Sequence, residues 1–144
     1  EGASEAGKDA QALDIMCWIL TSVSPDRDLA RDHIRGRVAA LLRMTDVKQF
    51  DEEDRPAIER LRREYDYYQH ASAESSHRSL VPEKFIDMYS LAGRPEEIRE
   101  KVKEVMRVPG FSQIVISPQV SGGRFPSVES VIKGFAEGVM AYVS

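Results

Sequence analysis

The residues of this chain with the greatest chemical capacity fall in one run, Tyr65-Asp66-Tyr67-Tyr68-Gln69-His70, where phenols, a carboxylate and an imidazole crowd together. An imidazole titrates near neutral pH, so His70 is a candidate to donate a proton or a hydrogen bond to a substrate; the alternative is a loop histidine in water. His33 lies on or beside an apolar helical stripe, and with no second ligand at suitable spacing it reads as packing rather than metal binding. Gly122-Gly123, ahead of the last helix, could cradle a phosphate with backbone N–H groups, although a glycine pair alone does not specify that. Cys17 lies inside an apolar run, cannot form an intrachain disulfide, and reads as inert packing.

The elements that must position these groups are legible from pattern. Ile15–Leu20 is a continuous apolar run bounded by Asp14 and Ser24-Pro25, which predicts a buried strand. Ser24 is then an N-cap, Pro25 the first helical residue and Asp26 and Asp28 partners of the helix dipole. That helix should carry Leu29, Ile34, Val38, Leu41 and Leu42 to the core and stop near Met44. Residues 45–80 form a polar excursion, with a helix expected from Arg55-Pro56 to Gln69 that is capped by Asp54 and packs through Ile58, Leu61, Tyr65 and Tyr68. The stretch from Ala71 to Ser79 has no periodicity and reads as a mobile loop, either a lid or binding segment or a solvent-exposed insertion.

Pro82–Tyr89 reads as a short helix or, the run being too brief to decide, a short strand, leading into a corner at Leu91-Ala92-Gly93. Pro95, Glu96 and Glu97 open a second amphipathic helix ending near Val108, and Phe111–Pro118 is expected as a strand buried on both faces. A last helix from Ser127 presents Val128, Val131, Ile132, Phe135, Val139 and Tyr142 as its apolar stripe. Strands alternating with helices are the grammar of a parallel α/β sheet, but two strands alone do not make a self-sufficient one.

At 144 residues and 42% apolar, the chain is long enough for one domain with a real core. A net charge of −4 with both signs interspersed gives no broad positive field, so no nucleic-acid partner is expected, and Arg60-Leu61-Arg62-Arg63 reads as a solvated helix face. No apolar stretch reaches bilayer-spanning length and no charged-then-apolar leader opens the chain, so no membrane partner and a cytoplasmic location are expected. A start at Glu1 rather than Met is what processing would leave and also how an excised piece of a longer protein would look; residues 1–13 resemble the end of a surface helix and its exit loop, with Gly7 a candidate C-cap.

Four features together resemble the C-terminal part of the luciferase-like flavin or deazaflavin oxidoreductases, the bacterial luciferase-like monooxygenase superfamily. The first is the strand Ile15–Leu20 running into Ser24-Pro25-Asp26-Arg27-Asp28-Leu29-Ala30-Arg31. The second is the block from Val81-Pro82-Glu83 to Leu91-Ala92-Gly93-Arg94-Pro95-Glu96-Glu97, which looks like the family's "VPDEIVDRFALAGTPEE". Pro109-Gly110-Phe111-Ser112-Gln113-Ile114-Val115-Ile116 is similar to its last barrel strand, and Tyr65-Asp66-Tyr67 with His70 to a "YDYxxH" element of one branch.

The resemblance implies the C-terminal portion of a (β/α)8 barrel, incomplete on its own because a whole barrel needs about 250 residues. It implies a parent enzyme that uses FMN or a deazaflavin coenzyme as monooxygenase, dehydrogenase or reductase on a small organic substrate. The parts that carry most coenzyme contacts would be absent, so no catalytic residue is assigned and the chain alone is expected to be inactive. What would remain is one wall of a substrate pocket at the C-terminal ends of the strands, with Tyr65, Tyr67, His70 and Met88 as candidates. Relatives commonly have Arg where this chain has Met88, and a thioether cannot hold an anion bidentately, so an apolar or neutral substrate is expected there, unless Met88 simply fills the core. The alternative is a non-catalytic partial barrel that works as a homo-oligomer or by association with the rest of a barrel.

Overall fold

The computed structural model describes residues 2–9, 13–70, 72, 74–120 and 127–143. One helical turn, α1 (Gly2–Glu5), is closed by Gly7 at φ 65°, where Lys8 N–H reaches back to the Ala3 carbonyl at 2.8 Å. That geometry is the left-handed cap expected of glycine past a helix end. Then follow β1 (Ile15–Val23), α2 (Arg27–Met44), α3 (Arg55–Glu64), α4 (Glu83–Tyr89), β2 (Ser90–Gly93), α5 (Pro95–Met106), β3 (Phe111–Pro118) and α6 (Val128–Gly138).

The three strands form one parallel sheet in the order β2-β1-β3. β1 and β3 are neighbours in register Cys17↔Ile114 and Ile19↔Ile116, and β2 pairs with the C-terminal half of β1 through Leu20↔Ser90 and Ser22↔Ala92. The sequence reading treats β2 as a corner, because four residues carry too little periodicity to announce a strand; its pairing with β1 makes it one.

Side chains alternate across a strand, and here the alternation separates two cores. Leu20 and Ala92 face a cluster built by Ile34, Val38 and Leu42 of α2, Ile58 and Leu61 of α3, and Phe85 and Ile86 of α4. Ile19, Val23 and Leu91 face the other, formed with Ile98 and Val102 of α5 and Val131 and Phe135 of α6. Each fully buried aliphatic or aromatic side chain contributes roughly 1.5–3 kcal/mol by leaving water.

Several expectations change in three dimensions. The N-cap of α2 is Asp26, whose carboxylate accepts from Asp28 and Leu29 N–H at 3.1 and 3.2 Å, while Ser24 Oγ accepts from Asp26 N–H in the preceding turn. Leu29 and Leu41 lie towards solvent and Ala30 and Ala39 are fully buried, so the buried stripe of α2 is rotated from the one drawn on leucines. Asp54 stands at the N-cap of α3 as expected, but its side chain caps no N–H; its carboxylate pairs instead with Lys84 of α4. α3 stops at Glu64, where Tyr65 turns extended, and Tyr68 is consequently wholly exposed. α6 ends at Gly138 and Tyr142 lies in a following 3₁₀ turn, so the expected stripe is not one helix face: Val131, Phe135 and the cap residue Val139 are buried, while Val128, Ile132 and Tyr142 face outward.

β3 is not buried on both faces, since it lies at the sheet edge with Val115 exposed; beside it on β1, Met16 is exposed and Trp18 is 71% exposed. The helices cover the C-terminal half of this sheet face and leave its N-terminal half open.

Candidate functional site

At the C-terminal ends of β1 and β3 the chain forms a half-open cavity of about 120 Å³. The place follows from the fold: parallel strands end together, and the segments leaving them diverge to leave a crevice. Gln119, just past β3, is held to β1 by its N–H on the Thr21 carbonyl at 2.8 Å. Ser22 Oγ and Nδ1 of His33 lie 3.4 Å apart, which ties the first half of α2 to the same strand end. One turn on, Arg37 donates from Nε to Gln119 Oε1 at 3.1 Å. The far wall comes from the excursion, through His70, Ser72 and Arg78.

Gly36, between the two α2 residues, also lines the cavity. Its φ is ordinary, and a Cβ added there would meet only Arg78 Cγ at 4.0 Å. Glycine in a helix interior costs roughly 1 kcal/mol relative to alanine. Neither backbone nor packing requires it here, and its effect is open space.

The stretch expected as a mobile loop contains a 3₁₀ helix, Ser76–Leu80, that buries His77 and Arg78. Arg78 reaches α2, donating to Asp32 Oδ2 at 2.7 Å and to the Asp32 carbonyl at 2.5 Å. The excursion is thus anchored over the strand ends by a charge-assisted pair, stronger than a neutral hydrogen bond.

Tyr65, Tyr67 and His70 come together. The Tyr65 hydroxyl is hydrogen-bonded to Nδ1 of His70, and the Tyr65 and Tyr67 rings meet edge to face with centroids 5.4 Å apart. The Arg43 guanidinium lies 5.1 and 4.8 Å from the two ring centroids and donates to the Tyr67 hydroxyl at 3.1 Å. Burial raises the Tyr65 phenol above its usual pKa, against the opposing pull of Arg43, so the phenol stays protonated. Burial lowers the pKa of both His33 and His77, which favours neutral imidazoles. Met88 stands apart on α4, 62% exposed and outside the cavity lining.

Arg37 and Arg78 are the functional candidates that sequence reasoning missed, since an arginine on a polar helix face or in a polar loop looks like any solvated charge. Gly122-Gly123 lies outside the described residues. No group among the described residues could hold a metal ion, and no helix among them is long and apolar enough to cross a membrane.

A lining that, among the described residues, has two guanidiniums, two imidazoles and no carboxylate suits a small anionic group. At about 120 Å³ the cavity is below the roughly 300–1,000 Å³ of an ordinary cofactor pocket, so a tricyclic ring does not fit inside it.

Comparison with known proteins agrees with this architecture. The family model described as luciferase-like monooxygenase matches residues 1–113. The 5,10-methylenetetrahydromethanopterin reductase of Archaeoglobus fulgidus is 23% identical over 134 residues, covering 92% of this chain and 40% of the relative. The enzyme of that name from Methanopyrus kandleri is 24% identical over 136 residues, covering 91% and 37%. The solved structure of a coenzyme F420-dependent tetrahydromethanopterin reductase from Methanopyrus kandleri superposes with a TM-score of 0.76 at 21% identity, over 100% of this chain and 40% of that one. The chain therefore spans about two fifths of the length of the proteins it matches.

Proposed function

This chain belongs to the luciferase-like monooxygenase family, and from that premise we propose that it forms part of a deazaflavin-dependent oxidoreductase acting on a small organic substrate. Its fold is the α/β arrangement of the matched portion of such a barrel, with all strands parallel. The observation that carries the proposal is the cavity at the C-terminal ends of β1 and β3, where barrels of this kind place their chemistry. The reductases that this chain resembles, one of them F420-dependent by name, favour a deazaflavin over FMN.

A bound deazaflavin supplies hydride transfer, and the protein supplies position and exclusion of water. The ring would lie outside the described cavity, against surfaces that this chain shares with further parts of a barrel. His70 would face the substrate from the cavity lining, with the buried Tyr65 and its neighbour Tyr67 behind it as a support, held by the Tyr65–His70 hydrogen bond and by Arg43 above both phenol rings.

A second reading is favoured by one observation, the exposed sheet face of Met16, Trp18 and Val115. A tryptophan on the central strand of a sheet and largely in water is an unsatisfied surface. On this reading the chain acts by association, with the rest of a barrel or with another copy, and has no catalysis of its own.

The test is a titration with F420 and, separately, with FMN, followed by coenzyme fluorescence, of the full-length protein that carries this chain and of these 144 residues alone. Saturable binding of F420 in preference to FMN by the full-length protein, with no saturable binding by the 144 residues alone, is the expected result. Preference for FMN would transfer the assignment to a flavin enzyme, and binding of neither coenzyme by the full-length protein would leave association as the function.

A further inference from the structure

We propose that the cavity bounded by His33, Arg37, His70 and Arg78 is a binding subsite for a small-molecule anion, a carboxylate or a phosphate. This goes beyond the coenzyme assignment and does not depend on it.

Four observations carry the inference. No carboxylate among the described residues lines the cavity. Asp32, the acid nearest in the ion-pair network, holds Arg78 from the solvent side, its own side chain 55% exposed. Arg37 has no carboxylate partner among the described residues; its one hydrogen bond there runs from Nε to the neutral amide of Gln119, which orients the guanidinium plane and leaves its charge uncompensated. A guanidinium presented in this way matches the geometry of a carboxylate or phosphate edge. Finally, Gly36 keeps the cavity wall between His33 and Arg37 open where any side chain would begin to fill it, with neither backbone conformation nor a close neighbour demanding glycine.

The sequence pattern points the other way, because Met88 replaces an arginine that would hold an anion in relatives. The structure separates the two positions: Met88 lies exposed on α4 and has no part in this cavity. Loss of an anion contact at one position therefore says nothing about an anion site built from α2 and the excursion.

The chain has three histidines, and two of them line the cavity while His77 does not. Their ring resonances, followed by NMR at fixed pH, are a direct readout. Titration of the protein with inorganic phosphate, and separately with acetate, is expected to move the His33 and His70 signals saturably and the His77 signal much less. Arg37→Gln, at an exposed position that the fold does not need, should weaken binding about tenfold, the size expected for loss of a charge-assisted contact. Gly36→Leu should abolish it with the circular dichroism spectrum retained. Tighter binding of phosphate would identify a phosphoryl ligand, and tighter binding of acetate a carboxylate. Failure of both probes to move these signals, or undiminished binding by Arg37→Gln, would overturn the proposal.

Discussion

The imidazole of His77 lies nearly flat on the phenol ring of Tyr65, with centroids 4.1 Å apart and planes 22° from parallel. His77 Nδ1 accepts the Asp66 N–H at 3.3 Å, so the neutral ring carries its proton on Nε2, which is buried and without a hydrogen-bond partner among the described residues. The stack spans the join between the end of α3 and the 3₁₀ turn, and through the Tyr65 hydroxyl it sets the place of His70 at the cavity.

Tyr65→Phe keeps the ring stack and removes the hydrogen bond to His70. The expected loss is about 1 kcal/mol, the usual net worth of such a bond. A chemical denaturation curve with an unchanged slope and a lower midpoint would show it, and the His70 ring signal should move while the core spectrum stays in place.

Because burial holds the pKa of His33 and His77 below the ordinary 6.5, protonation costs more in the folded chain than in the unfolded one. The unfolded state binds more protons in that window, so stability is complete above pH 6.5 and declines as the pH falls through the lowered native values. Thermal midpoints measured from about pH 8 to about pH 5 should fall on the acid side, and His77→Asn should flatten part of the decline.

A second, more acidic window comes from Asp87. The Arg31 guanidinium hydrogen-bonded to it, with Lys101 adding to the effect, lowers its pKa from 3.8 to about 2. Stability from this carboxylate is present above pH 3.8 and is lost as the pH falls through about 2; Asp87→Asn should lack that step. Arg31 is buried and also binds Glu83 at 2.6 Å, fastening α2 to α4. Arg31→Gln should cost about 1–3 kcal/mol, less than for a wholly buried pair because both carboxylates are half exposed.

Trp18→Thr is expected to change monomer stability by no more than about 0.5 kcal/mol, because an exposed indole loses little and threonine suits a strand. It should weaken any association through the open sheet face. Sedimentation at rising concentration checks this: unaltered association would show that the Met16, Trp18 and Val115 face is not the contact surface.

What the sequence alone determined lies mostly within single elements. Pro95 with Glu96 and Glu97 starts α5, the Ile15 and Phe111 runs are strands, and α2 ends at Met44, because caps, prolines and apolar runs act over a few neighbouring residues. The same local order carried the family resemblance, and the family match confirms it over residues 1–113. Only the tertiary structure decided what depends on distant partners. β2 is a strand because β1 lies beside it, and Ala30 rather than Leu29 is buried because of where α2 meets the sheet. His77 enters the interior because Tyr65 offers a ring to stack on. Arg37, Gln119, His70 and Arg78 are far apart along the chain, and they share one cavity because parallel strands end side by side. Met88, adjacent in sequence to buried elements, stays outside because α4 turns that face to water. Periodicity reports the conformation of a segment, whereas a site is a meeting of segments, and that meeting is set by long-range packing.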